Sequence, residues 1–207
     1  MINTVVDLSH HNANVDFPTL RGAGVVGVLH KASQGASYVD PTYASRQPLA
    51  RQAGLRWGAY HFGDGSDAPT QAAHFLATAN AAAGDLLVLD VEQNTAGSSM
   101  SLSQAETFVQ TVFQRSGRWP GVYGSSYLKQ LVATAAATSP LSHCWLWVAT
   151  YANQPLPLAP LWPNWTLWQY TDGASGPAPQ SVAGAGNCDR DMYNGDLAGL
   201  QRWWATG

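Results

Sequence analysis

A change of rhythm along the chain constrains its fold more than any single residue does. Eight short apolar runs, rich in β-branched or aromatic residues and each ending in polar ones, recur at fairly even spacing. They predict strands at residues 4–8, 25–31, 56–62, 86–91, 121–124, 146–150, 166–170 and 188–192. Helical patterns fall between the earlier runs, at 41–53, 69–83, 101–116 and 125–138. Pro48 interrupts the first of these. Either Ser101 or Ser103 can cap the third, Ser103 with Glu106 three residues on as in a capping box. From Trp145 onward the connections NQPLPLAPLWPN and DGASGPAPQSVAGAG are rich in Pro, Gly and Ser and offer no amphipathic helix. Strand and helix thus alternate for two-thirds of the chain, after which strands follow one another directly. This order predicts an α/β fold: an irregular, incomplete TIM-like barrel of about eight strands, βα units first and helix-free strands last. The segment GDLAGLQRWW predicts a final helix across the bottom or side.

Closed α/β barrels commonly form one unit at this size, so the 207 residues are expected to make a single domain. Only 11% of residues are charged, about half the usual share. A formal net charge of −3 leaves no basic footprint for a nucleic-acid partner. No apolar segment has the length of a membrane span, and MINTVVDLS lacks the basic start and apolar middle of a signal peptide. Cys144 and Cys188 match no metal spacing; they form one disulfide or remain two buried thiols. A monomer is the default expectation.

In βα barrels the functional groups come from the C-terminal ends of strands, and few acids pass that test. Asp7 ends the first strand, Asp90 and Glu92 end the fourth, and Asp189 lies in the last. Closure makes the first and last strands neighbours, so Asp7 and Asp189 can approach. Residues two apart on a strand share a face, which puts the Cα atoms of Asp90 and Glu92 about 6.6 Å apart on one side. Carboxylates held together cannot all ionise easily, so one can keep its proton near neutral pH. A proton donor and a second carboxyl that meets developing positive charge are what glycosidic cleavage requires.

The motifs VVDLSHHN, KASQGASYVDP, GLRWGAYHF, QAAHF, LVLDVE, GVYGSS, LWVATY, WQY and CDRD, in this order, resemble glycoside hydrolase family 25, the Ch-type lysozymes. The resemblance runs from Val5 to about Asn194. It implies hydrolysis of the β-1,4 bond between N-acetylmuramic acid and N-acetylglucosamine in bacterial peptidoglycan, without a cofactor or metal. Action at the cell wall follows, by an export route that the sequence leaves open. Residue by residue, Glu92 matches the proton donor and Asp90 its partner acid. Asp7 matches the acid of the opening D-x-S motif, and Asp189 that of a V-D-x-N segment. Tyr60, Tyr123, Trp147 and Gln169 match positions lining the cleft.

Several positions depart from the family pattern. Gln34, counted with the substrate-binding residues of the cleft, stands where glutamate is common, which removes a negative charge near the mouth. His10, His11 and Asn12 follow Asp7 where a glutamine is usual. Asp191 takes the place of an asparagine, an extra acid that is either offset by Arg190 or turned outward. Three rival readings remain: a carbohydrate-binding protein on the same barrel, another DxE glycosidase acting on chitin-like glycans, and a metal-dependent hydrolase using His10, His11 and His61. Adjacent residues on an extended chain face opposite ways, so His10 and His11 are not expected to share a metal. His30 and His61 are expected to be hydrogen-bonded barrel residues. Packing is the expected role of Trp57, Trp145, Trp162, Trp165, Trp203 and Trp204.

Overall fold

The fourth predicted strand shows how the barrel forms. In Leu86–Val91, Leu86 and Val88 pack into the barrel interior while Leu87, Leu89 and Val91 join the layer beneath the helices. The period of two that divides the apolar residues between two cores also turns Asp90 inward. The same alternation holds in the first strand, with Val5 inside and Val6 and Leu8 outside. A strand apolar on both faces has to be covered on both, which requires helices around the outside and side chains filling the inside.

This computed structural model describes residues 1–157 and 161–206. In chain order the elements are β1 (Ile2–Leu8), α1 (Phe17–Gly22), β2 (Gly27–Gln34), β3 (Tyr38–Val39), α2 (Tyr43–Gln52), β4 (Arg56–Phe62), α3 (Ala68–Ala79), β5 (Leu86–Val91) and α4 (Leu102–Ser116). They continue with β6 (Gly121–Gly124), α5 (Ser126–Val132), β7 (Leu146–Ala149), β8 (Leu167–Thr171), β9 (Ser181–Val182), β10 (Gly186–Asn187), β11 (Asp189–Tyr193) and α6 (Leu197–Thr206). Every predicted strand is present. The barrel runs β1-β11-β8-β7-β6-β5-β4-β2, and pairing of β1 with β2 closes it. Six parallel pairings join seven strands from β1 through β2 round to β8, whereas β11 is antiparallel to both β8 and β1. A strand without a crossover helix is free to run back, and this one does. Residues 158–160, part of the connection read as helix-free, lie outside the described residues.

The helices depart from expectation mainly at their ends. Asn80, in the left-handed conformation at φ 41°, stops α3 short of Ala83. α5 ends at Val132 because Leu128 and Val132 are its buried anchors, and the Ala and Thr residues beyond have little to pack against. α4 is capped by Ser101 with Gln104 in a reciprocal capping box, so Ser103 and Glu106 do not form one. Glu106 instead accepts a hydrogen bond from Ser139 Oγ at 2.6 Å. The short helix α1 was not predicted, although Asp16 caps it and a proline sits in its first turn.

α6 closes the bottom. Its Leu200 and Trp204 join Val5, Val26 and Leu86 in the interior, and Trp204 Nε1 donates to the Trp57 carbonyl at 3.1 Å. Trp57, Trp162 and Trp168 belong to the outer layer. Cys144 and Cys188 are both buried free thiols. Among the described residues no helix is long and apolar enough to cross a membrane.

Candidate active site

The inward rows of the strands reach the open end of the barrel as polar residues. Asp7 follows Val5, Asp90 follows Val88, Gln169 follows Leu167, and Tyr123 and Trp147 fill the space between. A cleft of about 220 Å³ is lined there by Asp7, Ser9, His11, Tyr60, Asp90, Glu92, Tyr123, Trp147, Tyr151, Gln169 and Asp189. The four acids singled out in the sequence thus meet in one cavity. Asp189 arrives differently from the others: it begins antiparallel β11, so a strand start, not a strand end, places it opposite Asp7 in register. Glu92 lies one residue past the β5 ladder, half-buried, while Asp90 on the floor is almost fully buried.

Gln169 organises the floor. Its Oε1 accepts hydroxyl protons from Tyr123 at 2.8 Å and Tyr151 at 2.9 Å, which leaves its Nε2 to donate to Asp7 Oδ2 at 2.8 Å. Tyr151 was missed in the sequence, yet it continues the inward row of Trp147 and Ala149 and could have been found by counting twos. Trp147 packs against Tyr123 at a centroid distance of 4.4 Å and Tyr60 at 6.2 Å.

Burial dominates the electrostatics. It raises the Asp7 carboxyl well above the ordinary range, helped by the charges of Asp189 and Asp191 and opposed by the Gln169 bond. Asp90 is raised in the same way, with Glu92 adding and Lys31 opposing. Glu92 is raised by burial and held back by Lys31. Asp189 is pushed up to about 6, by burial first and by Asp172 next. Lys31, also missed in the sequence, is the cation that tempers this cluster. It follows Leu29 on the inward row of β2.

Gln34 lies outside the cleft lining, at the end of β2, and accepts a hydrogen bond from Lys31 Nζ at 2.7 Å. A neutral partner there leaves the Lys31 charge directed at Asp90 and Glu92. Asp191 is not turned outward, and Arg190 offsets its charge only in part and without an ion pair among the described residues. Asp191 shares the inward row of Asp189 and is completely buried, whereas Arg190 points to the outer layer and donates to the Ser181 carbonyl at 2.6 Å. The extended chain assumed for His10 and His11 is absent: a turn, closed by Asn12 N donating to Ser9 O at 3.1 Å, brings the two rings to 4.0 Å. His10 Nδ1 meets Asp40 at 2.8 Å, and His11 reaches the cleft. His30 and His61 are buried in the outer layer, with ring nitrogens on the Lys31 carbonyl, Ser33 and Gln71. Among the described residues no group of three or more His, Cys, Asp or Glu is placed to hold a metal ion.

A sequence model of the glycosyl hydrolases family 25 matches residues 6–178. The chain belongs to this family. It is a glycoside hydrolase, and the carboxyl-lined cleft is where such chemistry can occur. Lysozyme M1 of Streptomyces globisporus is 26% identical over 215 residues, covering 94% of this chain and 69% of that protein. An N,O-diacetylmuramidase of Chalaropsis sp is 27% identical over 186 residues, covering 80% and 86%. The bacterial lysozyme structure from Streptomyces coelicolor superposes with a TM-score of 0.84 at 25% identity, over 98% of this chain and 97% of that one. The muramidase structure from Acremonium alcalophilum does so with a TM-score of 0.84 at 28% identity, over 100% of both. The two superposed structures share the fold of this chain.

Proposed function

We propose that this family-25 enzyme is a peptidoglycan muramidase. It hydrolyses the β-1,4 bond between N-acetylmuramic acid and N-acetylglucosamine, with Glu92 as proton donor and Asp90, Asp7 and Asp189 assisting. The observation that carries this reading is the convergence of these acids on one cleft walled by Tyr60, Tyr123 and Trp147. The names of the relatives, lysozyme and muramidase, support the substrate.

Glu92 suits the donor role by position and by charge. It stands at the rim, past the strand end, where a leaving oxygen can come within reach, and burial favours its protonated form. As the bond breaks, its proton passes to the departing sugar and positive charge grows at the anomeric carbon. Carboxylates on the floor, fixed before the substrate arrives, meet that charge. Water then adds its hydroxyl to the anomeric carbon and returns a proton to Glu92. Tyr60 and Trp147 offer flat faces against which sugar rings can lie. A chain acting on this glycan works at the cell wall.

Purified peptidoglycan digested by the enzyme, reduced with borohydride and analysed by mass spectrometry tests the choice of bond. Reduced muramic acid at the new ends is the expected product. Reduced glucosamine ends, or release from chitin oligomers alone, would overturn it.

A further inference from the structure

Glu92 and Tyr151 line two cavities at once. One is the acid-lined cleft. The other, of about 370 Å³, opens between the residues that follow β6 and those that follow β7. Among the described residues Glu92 is its only carboxyl, and no Lys, Arg or His lines it. The rest of its wall carries the hydroxyls of Ser125, Ser126, Thr150 and Tyr151 and the apolar side chains of Ala149 and Leu156. Thr150 Oγ1 donates to the Ala149 carbonyl at 2.7 Å and accepts from Leu156 N at 3.0 Å, which seats Leu156 at the cavity wall. The Tyr151 hydroxyl is engaged with Gln169. Ser125 stands at the N-cap of α5, where a serine normally turns its oxygen to the helix N–H groups, yet its side chain makes no capping bond. Among the described residues the hydroxyls of Ser125 and Ser126 have no protein partner, which leaves both to a ligand.

A proton donor faces the oxygen that joins two sugars, so the glycan has to cross Glu92 with one ring on each side. The ring that gains positive charge belongs in the cleft, over Asp7, Asp90 and Asp189. The departing ring then falls in the second cavity. We propose that this cavity is the subsite of the leaving N-acetylglucosamine and selects its acetamido group, with the methyl against Leu156 and Ala149 and the amide on the hydroxyls of Ser125 and Ser126. The proposal rests on the muramidase reading, which makes N-acetylglucosamine the leaving sugar. The chemistry of the cavity agrees with that order. It offers no cation to the carboxylates that muramic acid and its stem peptide carry, and so suits the neutral sugar. A glucosamine without its acetyl group brings an ammonium instead. That charge loses water against Leu156 and Ala149, and the two serine hydroxyls lose the amide oxygen as a partner. It also favours ionised Glu92, the form with no proton to give.

The test uses one peptidoglycan preparation, half of it treated with a deacetylase that acts on its N-acetylglucosamine residues. Both halves are digested, and kcat/KM and the reduced ends are read on the same digests. The wild type should favour the N-acetylated glycan about tenfold or more in kcat/KM. Leu156→Ala, and separately the double variant Ser125→Ala with Ser126→Ala, should slow the N-acetylated glycan more than the deacetylated one and so narrow that ratio. A merely structural role would slow both substrates alike. Should Leu156→Ala fail to fold, the serine variant, which alters only unpartnered hydroxyls, decides the point. A ratio near one in the wild type, or a ratio unchanged in the variants, overturns the proposal, and reduced muramic acid ends in the same digests would leave the muramidase reading standing. Reduced glucosamine ends, or no release from either half, would overturn that reading and with it the sugar assigned to this cavity.

Discussion

Gln169 holds Asp7 through a single hydrogen bond of 2.8 Å, and two tyrosine hydroxyls fix the amide in the orientation that makes it. Removing the donor with Gln169→Leu takes a bond from a charged group, worth about 1.5–3 kcal/mol. The expected loss is on the order of ten- to a hundredfold in kcat/KM. Tyr151→Phe, which removes one of two hydroxyls on Oε1, should cost less. Equal losses in steady-state assays of both variants would contradict this hierarchy.

Lys31 holds down the pKa of Glu92, the proposed proton donor. Its ammonium lowers both Asp90 and Glu92 against the rise caused by burial. In the proposed mechanism protonated Glu92 is the active form, so activity is lost as pH rises through the Glu92 pKa. In Lys31→Met that pKa rises further and the alkaline limb of kcat/KM moves to higher pH. An alkaline limb displaced to lower pH would exclude Glu92 as the group that titrates there.

Gly27 is a packing requirement at the barrel bottom. A Cβ at this position would lie 2.3 Å from ring carbons of Trp204, on the helix that plugs the barrel. Gly27→Ala should destabilise by about 1–3 kcal/mol through overpacking. At roughly 2–4 °C per kcal/mol for a chain of this size, thermal denaturation resolves the shift. Gly22→Ala, where nothing lies within 4 Å, is the control and should leave the melting temperature nearly unchanged. Comparable losses in both would mean that α6 does not seat as described.

Much of this architecture is legible in the chain because alternation is a local signal. Leu86, Val88, Asp90 and Glu92 share one parity, and that alone sends two acids toward the mouth. The direction of β11 is not local: it depends on the path of a Gly- and Pro-rich connection, which carries no periodicity. The strand-end rule therefore selects Asp189 for a reason that does not apply, since it stands at a strand start. His10 and His11 were read as extended chain, whereas a Ser9–Asn12 turn sets their rings side by side. Gln34 was placed in the cleft by resemblance, and its bond to Lys31 keeps it at the rim. Asp191 was visible as an unusual acid, but its burial under Asp7 comes only from closure of β11 against β1.

The central claim is that Glu92 delivers the proton, and turnover of purified peptidoglycan by Glu92→Gln tests it most directly. The variant keeps the shape of the side chain and removes its acidity. A folded Glu92→Gln enzyme that still binds the glycan but releases fragments more slowly, on the order of 10²–10⁴-fold, is the predicted result. A rate within about tenfold of the wild type would be too small a loss for a general acid and would contradict the account.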